Sequence, residues 1–422
     1  MLTKLLRLFL ARRIKPYEFN KALKIEYSPK FKQIGLYIHI PFCKKICNFC
    51  PYNKILYDKK LSAQYIESLI NELNLLKNKF LDNEINSIYV GGGTPSLLKE
   101  GLKKVFLYVK NNFNFNGEIA VELHPCDCDI KTLKYLKDIK VTMVSLGIQS
   151  FNKEVLKKIT RYDISYKPEI VLKNVLKIGF KSVDVDLLFG IKDVSIKQHI
   201  KDFKKAINLG VDQISTYPLI PFTFTSLGKK HFKGKNILTS NRQRKKILTE
   251  FIEIARNEGY YRSSIWSFTK NNSIRYSSIT RNSFLGIGAS STSLIGNKFT
   301  INTFSVKDYI LESKKRIPIA LSNTLKERDE MMFWMFWQSY NTIILSDEFK
   351  KLFKKNLYNT FFLELNIARL FGLIKKEEKN FRLTKKGSYL FHLIEQEYTH
   401  TYLNKTWRTC IKNAWPDKLV LN

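Results

Sequence analysis

Short apolar segments alternate with amphipathic segments along the first half of the chain. The amphipathic segments place apolar residues at helical spacing, as between Ser62 and Lys79, which predicts helices. The apolar segments, such as GLYIHI, are typical of strands. Strands that alternate with helices predict βα units around a parallel sheet. The six strand-like segments span residues 35–40, 85–90, 118–123, 141–148, 182–189 and 212–217.

Polar and glycine residues directly follow several of these strand-like segments, and α/β folds place their sites where parallel strands end. An incomplete (β/α)6 barrel explains the pattern better than a doubly wound sheet. The loop Gly91-Gly92-Gly93 follows the second strand, not the first, and lacks the G-x-G-x-x-G spacing of a dinucleotide-binding fold. The predicted fold class is therefore α/β, with a partial (β/α)6, TIM-like barrel.

The composition changes near Leu325, where aromatic and helical segments such as MMFWMFWQSY begin. A helix, a short hairpin and another helix would suit residues 371–390, as in a winged-helix-like fold. We therefore expect three parts. A basic N-terminal arm covers residues 1–34, the barrel and its extension cover 35–310, and a smaller, mainly helical domain covers 325–422.

The first 20 residues combine a short apolar stretch around Leu5 to Leu10 with Lys and Arg on both sides. A signal peptide needs a longer apolar core and a small-residue cleavage site, and neither is present. A basic amphipathic helix fits better, packed on the protein body or, alternatively, resting peripherally on a membrane. No apolar run reaches the roughly 18 residues that a membrane span needs.

The chain has 422 residues and a net charge of +35. Such a charge could serve nucleic acid, an anionic membrane or an acidic small molecule. Most lysines stand singly in amphipathic segments such as Lys131 to Lys140, and no Arg-rich block or RNA-binding signature is present. The joint abundance of Lys, Asn and Ile is what an AT-rich genome produces. Nucleic acid is therefore the least favoured partner.

Three of the six cysteines, Cys43, Cys47 and Cys50, lie within eight residues. A disulfide framework would spread its cysteines, so this clustering indicates a metal in a reducing compartment, which we take to be the cytoplasm. The spacing C-x3-C-x2-C favours a [4Fe–4S] cluster, because three thiolates on four irons leave one iron open to a second molecule. A zinc site with His39 as the fourth ligand is the alternative, although His39 would lie within a strand.

Further candidate ligand groups lie where the predicted strands end. These are Gly91-Gly92-Gly93-Thr94 at the end of the second strand, Glu122 at the end of the third, Gln149 at the end of the fourth, Asp186 on the fifth, and Arg161 after the fourth helix. Consecutive glycines let backbone groups approach a ligand closely. Carboxylates and amides suit ribose hydroxyls, and an arginine suits a carboxylate. Cys126 and Cys128, with His124 nearby, lack a fourth metal ligand, and we interpret them as ordinary loop residues.

Five segments of the chain together resemble one protein family. They are GLYIHIPFC, CNFC, GGGTPSLL, VSLGIQSF and VDVDLLFGI. Their order and spacing resemble the oxygen-independent coproporphyrinogen III oxidase family of radical S-adenosylmethionine (SAM) enzymes. That family also includes haem-binding chaperones and methyltransferases. The resemblance covers about residues 35–303 and is looser in the C-terminal region.

The resemblance implies a radical SAM barrel, a [4Fe–4S] cluster on the three cysteines and one or two bound SAM molecules. It also implies an electron donor such as a flavodoxin or ferredoxin. The implied SAM contacts are Tyr37 and Phe49 near the cluster, Gly92, Gly93 and Thr94 at the amino acid end, and Glu122, Gln149, Arg161 and Asp186 around the remainder. Ile220 and Thr292 would lie near a second SAM molecule or the substrate.

Departures from the family pattern leave the substrate open. Pro51-Tyr52 follows the third cysteine, where the dehydrogenase usually has Gly-Cys and the chaperone Asp-Phe. The favoured hypothesis is a coproporphyrinogen dehydrogenase-like oxidoreductase acting on an anionic tetrapyrrole. Basic residues near the barrel mouth would suit the propionate groups of such a substrate. The alternatives are a class C or haem-opening methyltransferase and a haem chaperone without turnover.

Overall fold

The computed structural model describes residues 2–12, 15–22, 24–163, 165–276 and 282–421. Its strands are β1 Tyr17–Lys21, β2 Gln33–Ile40, β3 Phe42–Cys43, β4 Ile55–Leu56, β5 Glu84–Gly92, β6 Asn114–Leu123, β7 Met143–Gln149, β8 Ser182–Phe189, β9 Gln213–Pro218, β10 Tyr260–Arg262, β11 Ser267–Lys270, β12 Phe284–Ile287, β13 Thr292–Ile295, β14 Lys298–Asn302, β15 Ile319–Thr324, β16 Ile343–Ile344, β17 Ile374–Glu377, β18 Asn380–Leu383 and β19 Lys418–Leu421. Its α-helices are α1 Leu2–Leu6, α2 Lys59–Leu76, α3 Lys99–Asn112, α4 Ile130–Asp138, α5 Lys153–Lys158, α6 Pro168–Lys177, α7 Ile196–Asn208, α8 Ser226–Phe232, α9 Asn241–Asn257, α10 Val306–Glu312, α11 Glu327–Tyr340, α12 Ser346–Phe353, α13 Leu357–Thr360, α14 Phe362–Leu370, α15 Lys385–Tyr398 and α16 Asn404–Lys412.

The six predicted strands are β2, β5, β6, β7, β8 and β9, and they pair in that order, all parallel. The residues of β7, β8 and β9 are buried almost without interruption, because a parallel sheet of βα units is covered on both faces. Helices such as α2, α3 and α7 connect successive strands. The predicted partial (β/α)6 arrangement is therefore confirmed.

The sheet extends beyond the barrel on both sides, which the sequence pattern did not predict. Next to β9 lie the antiparallel strands β11 and β10. Next to β2 lies the parallel strand β12, followed by β13, β14, β15, β1 and β19. The N-terminal strand β1 thus pairs with both β15 and β19. These added strands have only three to six residues, too few to establish a clear periodicity.

The C-terminal region combines helices α11 to α16 with a small antiparallel sheet in the order β16-β18-β17. The hairpin β17–β18 lies between α14 and α15, as the winged-helix-like pattern predicts. The hydrophobic core of this C-terminal region includes Trp334, Phe349, Phe361 and Phe381. The helical turns over residues 2–11 contact α11 and α15, while Arg13, part of the predicted basic arm, lies outside the described residues. No helix of the described ranges has the length and apolar character needed to cross a membrane.

A buried carboxyl group joins the extension to the barrel. Glu72 on α2 is fully buried and accepts hydrogen bonds from Gly288 N at 2.9 Å, Asn302 Nδ2 at 2.7 Å and the Tyr309 hydroxyl at 2.5 Å. Burial raises the pKa of Glu72 from 4.5 to about 7, and the three donors only partly oppose this effect. One side chain therefore fixes the β12–β13 turn, β14 and α10 against α2.

This raised pKa predicts a pH-dependent contribution to stability. The folded state binds the Glu72 proton more tightly, so the contribution is complete below about pH 4.5 and is lost as the pH rises through about 7. The loss amounts to about 3 kcal/mol. Glu72→Gln should lower the free energy of unfolding at about pH 5, because an amide cannot accept from all three donors. The decrease in the free energy of unfolding between about pH 5 and about pH 8 should also be smaller in this variant.

Urea unfolding at the two pH values measures this difference. Glu67→Gln is the matched control, because Glu67 lies exposed on the same helix. An unfolding free energy with the same pH dependence in Glu72→Gln and in the unsubstituted protein would contradict the assignment.

Candidate functional site

The three clustered cysteines follow β2 directly, with Cys43 in the short strand β3 and Cys47 and Cys50 in the loop after it. Cys43 and Cys47 are buried, Cys50 is half-buried, and all three are free thiols. The Thr94 hydroxyl donates to Cys43 Sγ at 3.7 Å, and Arg161 Nη1 donates to Cys47 Sγ at 3.2 Å. The pKa of Cys43 is raised to about 11, mainly by burial and to a smaller extent by the other two thiols, while the hydrogen bond from Thr94 opposes this increase. The loop therefore collects three mutually close thiols and supplies donors that favour their thiolate forms once a metal binds.

The alternative zinc site is not supported by the surroundings of His39. Its Nδ1 pairs with the Tyr37 hydroxyl and its Nε2 with the Asn53 carbonyl, both at 2.9 Å, so neither nitrogen is left to bind a metal. Burial lowers the pKa of His39 to about 4. Within the described ranges, no three His, Cys, Asp or Glu side chains converge on a single ion. A cubane cluster needs no such convergence, because its thiolates bind different irons. The cysteine loop fits a cluster.

The glycine loop at the end of β5 packs directly against the Glu122 carboxyl group, the His39 ring and the cysteine segment. A Cβ atom on Gly91 would lie 2.8 Å from the Glu122 carboxyl, and one on Gly92 would lie 2.4 Å from the His39 ring. One on Gly93 would lie 2.7 Å from the Phe42 carbonyl oxygen and 3.0 Å from Cys43 Sγ. Gly92 also has a φ of +112°, a conformation that side chains disfavour. Neighbouring atoms therefore leave no room for a Cβ atom at any of these three positions.

The predicted strand-end residues are held by specific contacts. Glu122 accepts from the Tyr89 hydroxyl at 2.7 Å and from Gly92 N at 3.0 Å, yet burial still raises its pKa. Arg161 Nη2 donates to the Gly147 carbonyl at 2.7 Å while Nη1 reaches Cys47. Gln149 ends β7 with a left-handed φ of +67°. Strain of this kind concentrates at functional sites.

An interior cavity of about 620 Å³ lies beside these residues. Seven of the predicted site residues line it: Tyr37, Phe49, Glu122, Gln149, Asp186, Ile220 and Thr292. The other seven lie outside its lining: Cys43, Cys47, Cys50, Gly92, Gly93, Thr94 and Arg161. Contacts among Thr94, Arg161 and the cysteines hold most of this second group together beside the cavity.

The sequence analysis did not identify several of the residues that line the cavity. Asp184 accepts from the Ser215 hydroxyl at 2.9 Å and from Ser145 at 3.3 Å, and burial raises its pKa to about 6. Burial, together with Asp184, holds the pKa of Asp186 well above its usual range. The spacing of Asp184 and Asp186 on one strand was a usable signal, because residues two apart share a face. Glu395 and Tyr398 on α15 reach the cavity only through tertiary packing.

The lining is aromatic and acidic rather than basic. It includes Glu122, Asp184, Asp186 and Glu395, while Arg275 is its only lysine or arginine among the described residues. The expected basic residues near the barrel mouth are thus absent from the described lining. Lysine carries most of the excess positive charge of the chain and stays hydrated at the surface, because burying an ammonium group is costly.

Comparisons with known proteins establish the class. Residues 37–221 match the Radical SAM superfamily. The fold resembles the crystal structure of coproporphyrinogen III oxidase (HemN) from Escherichia coli, with a TM-score of 0.77, 24% identity and coverage of 94% of this chain and 98% of that one. This protein therefore contains a radical SAM domain, and its predicted fold is confirmed. Such a domain implies a [4Fe–4S] cluster and SAM.

Two groups of proteins are similar to this chain in sequence. The heme chaperone HemW of Bacillus subtilis (strain 168) is 28% identical over 363 residues, covering 84% of this chain and 96% of its own. The oxygen-independent coproporphyrinogen III oxidase of Salmonella typhimurium is 28% identical over 322 residues, covering 71% and 70%. The chain is thus similar in sequence both to HemW and to the oxygen-independent coproporphyrinogen III oxidases, as the sequence resemblance indicates.

Gly93 provides a test of the loop contact. In Gly93→Ala the new methyl group would meet the carbonyl oxygens of Phe42 and Ile40 and Cys43 Sγ, so the cysteine loop must move. We expect a several-fold fall in iron and sulfide bound per chain after anaerobic reconstitution. Gly179→Ala is the control, because Gly179 has a left-handed φ but no neighbour within 4 Å. It should lose about 1 kcal/mol of stability and keep its cluster. Full iron content in Gly93→Ala would contradict this account.

Proposed function

We propose that this protein binds a [4Fe–4S] cluster through Cys43, Cys47 and Cys50, cleaves SAM there and acts on a tetrapyrrole in the neighbouring cavity. The supporting observation is the continuity of the cavity. The same cavity is lined by residues expected to bind SAM, such as Glu122, and by an aromatic group that includes Trp266. A single chamber would thus hold the source of the radical beside the substrate.

The cluster and SAM would supply a 5′-deoxyadenosyl radical, which abstracts a hydrogen atom from the substrate. Around them, the residues of this chain have positioning roles. Glu122, held by Tyr89 and Gly92, is a fixed acceptor for hydroxyl groups of the ribose. Arg161 places a positive charge beside Cys47. The aromatic walls exclude water, which protects a reactive radical.

The remaining partners follow from charge and redox chemistry. A flavodoxin or ferredoxin would supply the electron, and the net charge of +35 favours rapid association with an acidic carrier. Free clustered thiols are consistent with a reducing compartment, which supports a cytoplasmic location. Whether one or two SAM molecules bind is best measured by the stoichiometry of SAM binding.

Anaerobic turnover tests the proposal. Cluster-loaded protein is incubated with SAM, a low-potential reductant and coproporphyrinogen III, and the products are read by mass spectrometry. We expect 5′-deoxyadenosine and methionine in equal amounts, and a porphyrinogen that has lost carbon dioxide. This product forms when a hydrogen atom is abstracted beside a propionate carboxylate. Loss of carbon dioxide and transfer of one electron to an acceptor then leave a vinyl group.

The control is a variant with Cys43, Cys47 and Cys50 all replaced by alanine. Formation of 5′-deoxyadenosine at the level of this variant would refute the radical chemistry. S-adenosylhomocysteine among the products would instead indicate methyl transfer.

A haem chaperone is the second candidate, and one observation favours it. The relationship to HemW of Bacillus subtilis spans 84% of this chain, compared with 71% for the oxidase of Salmonella typhimurium. A haem titration followed by absorption spectroscopy separates the two candidates. We expect weak haem binding together with conversion of coproporphyrinogen III. A stoichiometric haem complex without any conversion would reverse this preference and favour the chaperone.

A further inference from the structure

Helix α15 contributes one wall of the cavity. Glu395, Tyr398, Thr399 and Tyr402 all line the cavity and lie on one face, at spacings of three, four and seven residues from Glu395. The backbone over Thr399–Leu403 is π-helical, a local distortion that is frequent at functional sites. The sequence analysis assigned no role to this face.

Glu395 is the unusual member of this wall. Its side chain is 5% exposed, and its Oε2 atom has no hydrogen-bond partner among the described residues. Burial raises its pKa to about 8, and no protein donor lowers it. Glu122 and Asp184, by contrast, already accept bonds from protein donors. An unpartnered buried carboxyl group is costly to maintain, so its presence in a cavity indicates a ligand that supplies donors.

The surroundings of Glu395 narrow the chemistry of that ligand. Tyr340 and Tyr398 lie close enough for Glu395 to raise their pKa values, and both line the cavity. Trp266 also lines it, with its Nε1 already donating to His392 Nδ1 at 2.8 Å. The acceptor is therefore framed by aromatic rings, which favours a ligand that combines apolar ring faces with N–H donors.

We propose that Glu395 accepts the pyrrole N–H groups of a porphyrinogen, so that the α15 wall selects the reduced, metal-free tetrapyrrole. This inference rests on the proposed function. The saturated bridges of a porphyrinogen let its ring fold and direct four N–H groups to one side, towards a single acceptor. A planar porphyrin has only two inner N–H groups, enclosed by its ring. In haem, iron occupies all four nitrogens, so haem offers Glu395 no donor.

Binding measurements under nitrogen test the selectivity. The probes are coproporphyrinogen III, coproporphyrin III and haem, each titrated into cluster-loaded protein. We expect the unsubstituted protein to bind the porphyrinogen about tenfold or more tightly than the other two, because only the porphyrinogen supplies the N–H donors that the buried carboxyl group lacks. Glu395→Gln should lose most of this preference while keeping its affinity for SAM.

Glu397→Gln is the matched control, because Glu397 lies two residues further along α15 and outside the cavity lining. It should behave as the unsubstituted protein does. The same porphyrinogen preference in Glu395→Gln would overturn the inference, as would a loss of SAM binding in that variant. If Glu395→Gln does not fold, equal affinities of the unsubstituted protein for porphyrinogen and haem overturn it instead. Failure of the unsubstituted protein to bind any tetrapyrrole would refute the proposed function itself.

Discussion

The contact between the glycine loop after β5 and the cysteine loop after β2 organises the site. Gly93 N donates to the Ile40 carbonyl at 2.6 Å, and Thr94 N donates to the Phe42 carbonyl at 2.8 Å. Backbone pairing thus continues beyond the ends of two parallel strands, and at Gly93 only a residue without a side chain allows so close an approach. The Cys43 thiol, the Glu122 carboxyl and the His39 ring all take their positions from this contact.

Charge is distributed very unevenly in the molecule. The chain carries a net charge of +35, yet the described lining of its cavity has several carboxyl groups and one arginine. Burial raises the pKa values of Glu122, Asp184 and Asp186, so these groups resist ionisation more than exposed carboxyl groups do. The interior therefore carries less negative charge than its composition implies and favours hydrogen-bond donors, whereas the surface favours anionic partners.

Local patterns predicted the barrel well, because each βα unit is specified by a short stretch of sequence. All six strands lie where the sequence pattern indicates. The cavity wall was not predictable in this way. Glu395 and Trp266 belong to segments with no distinctive motif, and only the packing of α15 and β11 against the barrel brings them together. The paired strands β1 and β19 likewise carry no local signal of their partnership.

The pairing of β1 with β19 has a consequence for the order of folding. Arg7 reaches the Leu421 carbonyl across 414 residues of chain, and Leu421 is part of the cavity lining. The cysteine contacts span far less chain: 51 residues for Thr94 and 114 for Arg161. Contacts between distant residues close slowly, because a large loss of chain entropy comes first. The shorter loops closed by the cysteine contacts therefore cost less chain entropy, which favours their formation before the two chain ends pair.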